Sequence, residues 1–265
     1  MQQSVSFLVK ATGNRHKIVR CLNSIARQNN PNYKIVAFLS VDNLKGRLKR
    51  DYPGIEIVKT ADTADFVEKA NACLRRLDTS HCMFVSHEEV LAPNAVDVIL
   101  RENKDVLFCN ISRKNSKDRF LPRFPADKTA DLLLHMQRGL LLWNAALRVK
   151  NIQRDNLSLS SYTPAMQELF LLENIALAES VGVEQSVLVY KDSLVAKQTP
   201  TFEEFKAHRS RIKQLSRRFQ KKGLLSLKQQ LIMDFVVSQL SNYYEETGPM
   251  SKLRKRRLLK KYLVL

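Results

Sequence analysis

Apolar positions along this chain switch repeatedly between two periods. Short apolar runs bounded by polar residues, at 4–11, 33–41, 55–59, 81–85 and 106–111, predict buried strands. Between them the spacing becomes helical. Ile18, Val19, Leu22, Ile25 and Ala26 predict a helix over 16–28, a second covers 64–77, and a third covers 94–102. Pro93 suits the first turn of that third helix, where a missing N–H costs nothing. Thr12-Gly13-Asn14-Arg15 and Asp51-Tyr52-Pro53-Gly54 read as turns. Alternating strand and helix over the first 110 residues predicts a mostly parallel, doubly wound α/β sheet.

The rest of the chain is less regular. Residues 112–128 are polar and basic and predict a loop, 129–148 are apolar and helical in parts, and 151–164 form a polar connection. Leu169, Phe170, Leu172 and Ile175 give an apolar face to a helix over 166–180, and 186–190 is a last strand. From Phe202 the pattern is helical and basic, broken at Gly223 and at Gly248-Pro249.

Charge changes this picture most. The chain has 265 residues, enough for a full core plus an appendage, and a formal net charge of +18. Residues 203–265 hold 16 Lys and Arg against 5 Asp and Glu, an asymmetry that calls for an anionic partner, either a nucleic acid or an acidic membrane surface. Four scattered cysteines without a C-x-x-C pair read as buried thiols of a reduced, cytosolic protein. No signal peptide is expected, and no apolar run approaches the roughly 20 residues of a membrane span. Walker, GxGxxG, H-E-x-x-H and zinc-type cysteine motifs are absent, as are internal repeats.

The candidate chemistry gathers around residues 78–93. A short strand there breaks into an acidic turn, Ser86-His87-Glu88-Glu89, before the next helix. Carboxylates at the end of a strand in an α/β sheet are a natural place for a metal and a phosphorylated ligand. Five further segments accompany it in order: the turn ending in Asn14, Leu22-Asn23-Ser24-Ile25-Ala26-Arg27-Gln28, Ala70-Asn71, Gln167-Glu168-Leu169-Phe170 and Tyr190-Lys191-Asp192-Ser193. Together residues 4–195 resemble a family 2 glycosyltransferase with the GT-A (nucleotide-diphospho-sugar transferase-like) fold. The second segment matches the family's Leu-x-Ser-Ile-x-x-Gln and is the most specific.

The resemblance implies a GT-A-like domain over 1–200 with a basic helical C-terminal extension over 201–265. It implies Glu168 as catalytic base, and Thr12, Gly13, Asn14, Asp42 and Asn71 lining the nucleotide. It also implies Glu88 and His87 as ligands of a divalent cation, Mg²⁺ or Mn²⁺, which would neutralise the leaving diphosphate. The sequence departs from the family at three places. Leu39-Ser40-Val41 stands where the family has Asp-Asp-Gly, with Asp42 about two residues late; Gly13 replaces a stacking tyrosine; and Ser86 replaces the first acid of Asp-x-Asp-Asp.

Simpler roles stay open for the same residues. Glu88 also suits a solvated turn that caps the next helix, Glu168 a helix start, Asp42 an ordinary turn, and Thr12 with Asn14 an Asx-type turn. Arg113, Lys114, Lys117, Arg119 and Arg123 of the basic loop suit either a diphosphate or an anionic acceptor. In the tail, Lys252, Arg254, Lys255, Arg256, Arg257, Lys260 and Lys261 lie beside Leu253, Leu258, Leu259, Tyr262, Leu263 and Leu265, the pattern of a helix on an anionic membrane, or of one pairing within the protein or in a homo-oligomer. The resemblance thus points to a cytoplasmic enzyme, peripheral at the inner membrane face. It would move a sugar from a nucleotide-sugar donor to a cell-surface polysaccharide, teichoic-acid or lipid-linked glycan acceptor. The alternative is an inactive pseudo-glycosyltransferase serving as scaffold or subunit of a partner transferase. A nucleic-acid partner is disfavoured, because no basic stretch carries interleaved stacking aromatics.

Overall fold

Both faces of the central strands are covered, so their side chains are apolar on both sides. In β1 (Gln2–Ala11), Phe7, Val9 and Ala11 join one buried cluster and Leu8 the other. The computed structural model describes residues 2–40, 44–113, 142–191 and 209–221. After β1 come α1 (Arg15–Ala26), β2 (Tyr33–Leu39), α2 (Lys45–Asp51), β3 (Glu56–Lys59) and α3 (Thr63–Arg76). They are followed by β4 (Thr79–Ser86), β5 (Glu89–Leu91), α4 (Ala95–Glu102) and β6 (Val106–Arg113). A 3-10 turn (Leu142–Asn144) then leads into β7 (Ala145–Arg148), α5 (Val149–Arg154), α6 (Pro164–Leu177), β8 (Val181–Lys191) and α7 (Arg209–Lys221).

The described strands form one sheet in the order β3-β2-β1-β4-β7-β6-β8-β5. β3, β2, β1 and β4 are parallel, β7 runs antiparallel between β4 and β6, and β8 is parallel to β6. Only His87 and Glu88 separate β4 from β5 in sequence, yet three strands separate them in the sheet. The sheet therefore curls, and its last edge strand returns to the end of β4. That closure puts the acidic turn at the meeting point of β1, β4, β5 and β8.

One hydrophobic cluster holds α1 and α4 against the sheet through Ile18, Leu22, Ile25, Val96 and Ile99. The other holds α3, α5 and α6 through Phe66, Leu74, Ile152, Phe170 and Ile175. Ile212 and Leu215 of α7 belong to this second cluster, so the described part of the basic segment packs on α6. Burial of each such side chain contributes about 1.5–3 kcal/mol. All four cysteines are free and buried, as the sequence suggested. No helix among the described residues is long and apolar enough to cross a membrane.

Several local expectations change. Residues 145–148 form a strand rather than helix, because β4 and β6 flank them and supply hydrogen-bonding partners on both sides. The expected connection at 151–164 begins inside α5, whose Val149 and Ile152 are buried. Helix α2 and the short β5 were not anticipated, and β8 begins at Val181, five residues before the expected strand. The turn before β3 is as expected, with Gly54 at φ 88°, a conformation glycine adopts without strain. Asp42, residues 114–128 of the basic loop, residues 129–141 of the stretch expected to be partly helical, residues 192–208 and the tail from Lys222 lie outside the described residues.

Candidate functional site

The site begins where β1 and β4 end side by side, with Lys10 in register with Ser86. After β1 the chain turns through Gly13, at φ 98°, into α1. Asn14 caps that helix, its Oδ1 accepting from the backbone N–H of His16 at 2.8 Å and of Lys17 at 3.4 Å. The Asx-type role foreseen for Asn14 is thus realised. Thr12 is half-buried and Gly13 lies against His87, an ideal Cβ on Gly13 falling 3.5 Å from the imidazole Nε2.

His87 is pinned by β1. Its backbone N–H donates to the Lys10 carbonyl at 3.1 Å, and its Nδ1 lies 3.2 Å from the same oxygen. A carbonyl only accepts, so Nδ1 carries the proton. Burial pushes the imidazole below its ordinary pKa, which keeps it neutral and leaves Nε2 an acceptor facing Gly13.

The two neighbouring glutamates diverge. Glu88 points to the rim, where Oε1 accepts from Lys17 Nζ at 2.9 Å and its carbonyl accepts from Arg20 Nη2 at 3.1 Å. The Lys17 hydrogen bond holds its carboxyl below the usual range. Glu89 points inward and is fully buried. Its Oε2 accepts from the Ser86 backbone N–H at 2.8 Å, and Oε1 lies 3.6 Å from Lys191 Nζ at the end of β8. Burial pushes this carboxyl up to about 8, with Lys191 opposing the shift. Lys191 Nζ also sits 4.0 Å over the Trp143 ring, a cation–π contact. Sequence reasoning missed the Glu89–Lys191–Trp143 group. Its one signal was the alternation within β5, where Glu89 and Leu91 face inward and Val90 is more exposed.

Lys10 rises on the face of β1 opposite Val9 and Ala11. Its Nζ lies 4.2 Å from the centre of the Tyr162 ring and 5.3 Å from that of Phe66, and the two rings meet edge-on at 4.9 Å. Burial lowers the Lys10 pKa. Asn71 on α3 is committed to backbone: its Nδ2 donates to the Leu159 carbonyl at 2.8 Å, and its Oδ1 accepts from the Leu159 N–H at 2.9 Å. It holds in place the segment that carries Tyr162. Gln167 steadies the same segment by donating from Nε2 to the Tyr162 carbonyl at 2.8 Å. Arg211 of α7 binds it from outside, reaching Ser158, Ser160 and the Glu173 carboxylate. Glu168 is half-buried in the second turn of α6, since the helix starts at Pro164 with no acid in its first turn. A helix-start role therefore does not account for it.

Glu88 and His87 are the turn's candidates for a divalent cation, and the set does not fit one. Among the described residues no three His, Cys, Asp or Glu side chains converge. Ser86 supplies no carboxylate, Glu88 is paired with Lys17, and Glu89 is sequestered.

No family model matches the chain, and no curated protein matches it. Solved structures do. S. aureus TarS 1–349 in complex with UDP-GlcNAc superposes with a TM-score of 0.69 over 98% of this chain and 79% of that one, at 14% identity. The chain has a GT-A-type fold. The mannosyltransferase PcManGT from Pyrobaculum calidifontis, in complex with GDP-Man and Mn²⁺, superposes with a TM-score of 0.54 at 13% identity, over 94% of this chain and 77% of that one. Against the longer TarS structure the TM-score is 0.68 at 16% identity; the match covers 91% of this chain and 43% of that one.

Proposed function

We propose that this protein is a nucleotide-sugar-dependent glycosyltransferase. The observation that carries the reading is the superposition of nearly the whole chain on a structure that holds UDP-GlcNAc. The place of the candidate residues in the turns after β1 and β4 supports it, because ligands of open α/β sheets bind beyond the carboxyl ends of the strands. In this reading the turn 12–14, with His87 beside it, lines the nucleotide, and Glu168 on α6 takes the proton of the acceptor hydroxyl. The acceptor is a cell-surface polysaccharide, teichoic acid or lipid-linked glycan, and the basic tail at 251–265 holds the protein to the inner face of the membrane.

The test is release of nucleoside diphosphate from a panel of nucleotide-sugars, UDP-GlcNAc first, with lipid-linked and soluble glycan acceptors. Turnover is expected, and Glu168→Gln is expected to lower kcat by about 10²–10⁴-fold with little change in donor affinity. Full activity in Glu168→Gln would remove the base assignment. A second reading, a pseudo-glycosyltransferase acting as partner subunit, is favoured by Ser86 in place of an acid and by the Lys17–Glu88 pair. It would be selected by donor binding without turnover.

A further inference from the structure

The charge around His87 has the sign opposite to that of a turn awaiting a metal. The imidazole rests on the Lys10 carbonyl, and the next residue of the turn, Glu88, is held by Lys17 Nζ at 2.9 Å. Arg20 adds a further cation at the Glu88 carbonyl. Glu88 is the turn's rim-facing carboxylate, and Lys17 already neutralises it; Glu89 faces the interior. A metal-binding turn collects negative charge that a cation relieves on entry. Among the described residues the charge around this turn is positive before any ligand arrives, which opposes a divalent cation and favours a polyanion.

We propose that this site, at the turns after β1 and β4, binds the diphosphate of its donor without a divalent cation, with Lys17 on the phosphate oxygens and Lys10 flanking them. The inference rests on the donor-site reading above. Lys17 is chemically suited to the task. Its ammonium has three donors, and Glu88 takes one of them, leaving two for phosphate oxygens. The side chain is 38% exposed on the first turn of α1, so an incoming ligand can reach it. Lys10 rests on the faces of Tyr162 and Phe66, contacts that use its charge but need none of its N–H donors.

Calorimetric titration of the full chain with UDP, in EDTA and then in excess Mn²⁺, tests this directly. The same affinity is expected in both. Lys17→Ala is expected to weaken binding about tenfold or more, the loss of one charge-assisted hydrogen bond to phosphate. Glu88→Gln is expected to tighten it, because Lys17 is released and a negative charge leaves the rim. UDP binding only with Mn²⁺, or its loss in Glu88→Gln, would overturn the inference while leaving the donor site intact. If neither UDP nor GDP binds in either condition, the inference falls together with the donor-site reading.

Discussion

Two adjacent glutamates at one turn, each with a lysine partner, have opposite surroundings. Glu88 and Lys17 meet at the rim, with side chains 28% and 38% exposed. Glu89 and Lys191 meet inside, at 0% and 8%. The outer pair exchanges one solvated contact for another and constrains little. The inner pair has no water to fall back on, and it ties the ends of β4, β5 and β8 together through Ser86, Glu89 and Lys191. The difference teaches that the turn is divided by role. One acid is used to close the curled sheet, and the other is left at the surface where a ligand can compete for its lysine.

The strongest way to break this contrast is Glu89→Ala. It removes the acceptor for the Ser86 N–H and leaves the buried Lys191 ammonium with the Trp143 ring as its remaining partner among the described residues. A stability loss of about 3 kcal/mol is expected in urea unfolding, the upper end for stranding buried hydrogen-bonding groups. A loss below that of an exposed substitution would mean that the inner pair does not hold the sheet edge.

The same contrast has a pH signature. Glu89 holds its proton up to about pH 8 in the fold, against an ordinary value of 4.5. Between those values the folded state binds more protons than the unfolded one, so its stability falls as pH rises through the window and levels off above it. Unfolding free energy measured from pH 5 to 9 is expected to decline, and Glu89→Gln, which stays neutral, is expected to flatten the decline. Glu88 contributes with the opposite sign, since Lys17 lowers its pKa: that small stabilisation is lost on acidification.

Asn71→Ala is a neutral control of intermediate size. It removes both hydrogen bonds to Leu159, with an expected cost of about 1–3 kcal/mol in the same unfolding assay. It also loosens the segment that carries Tyr162, so UDP affinity, measured alongside, reports whether that segment shapes the candidate site.

How much of this was legible in the sequence follows from the range of the interactions. The alternation through α4 could be read because each element is declared by its own periodicity: β1 and β4 by short apolar runs, α3 by Phe66, Ala70, Cys73 and Leu74 on one face. β7 could not, because four apolar residues carry no distinguishing period and the strand exists only through β4 and β6. The acidic turn was located correctly, but its internal division was hidden. Glu89 faces inward because β5 pairs with β8, about a hundred residues away, and Glu88 meets a lysine 71 positions earlier in the chain. Asn71 shows the same limit. The sequence placed it on a helix as a candidate for lining the nucleotide, while its bond to a segment 88 residues later decides what its amide does.

The smallest effect is the most diagnostic. Glu88→Ala breaks only the rim pair, and an exposed pair of this kind is worth about 0–1 kcal/mol. Unfolding of the variant is therefore expected to differ little from that of the parent chain at neutral pH. A large loss would show that the rim pair is structural, and the division of the turn would fail. Near-parental stability together with tighter UDP binding would mean that Glu88 restrains Lys17 rather than supporting the fold. Weaker binding with near-parental stability would instead make Glu88 a ligand-supporting acid, contrary to the metal-free reading. Stability and affinity move independently in this one variant, so neither outcome can be mistaken for the other.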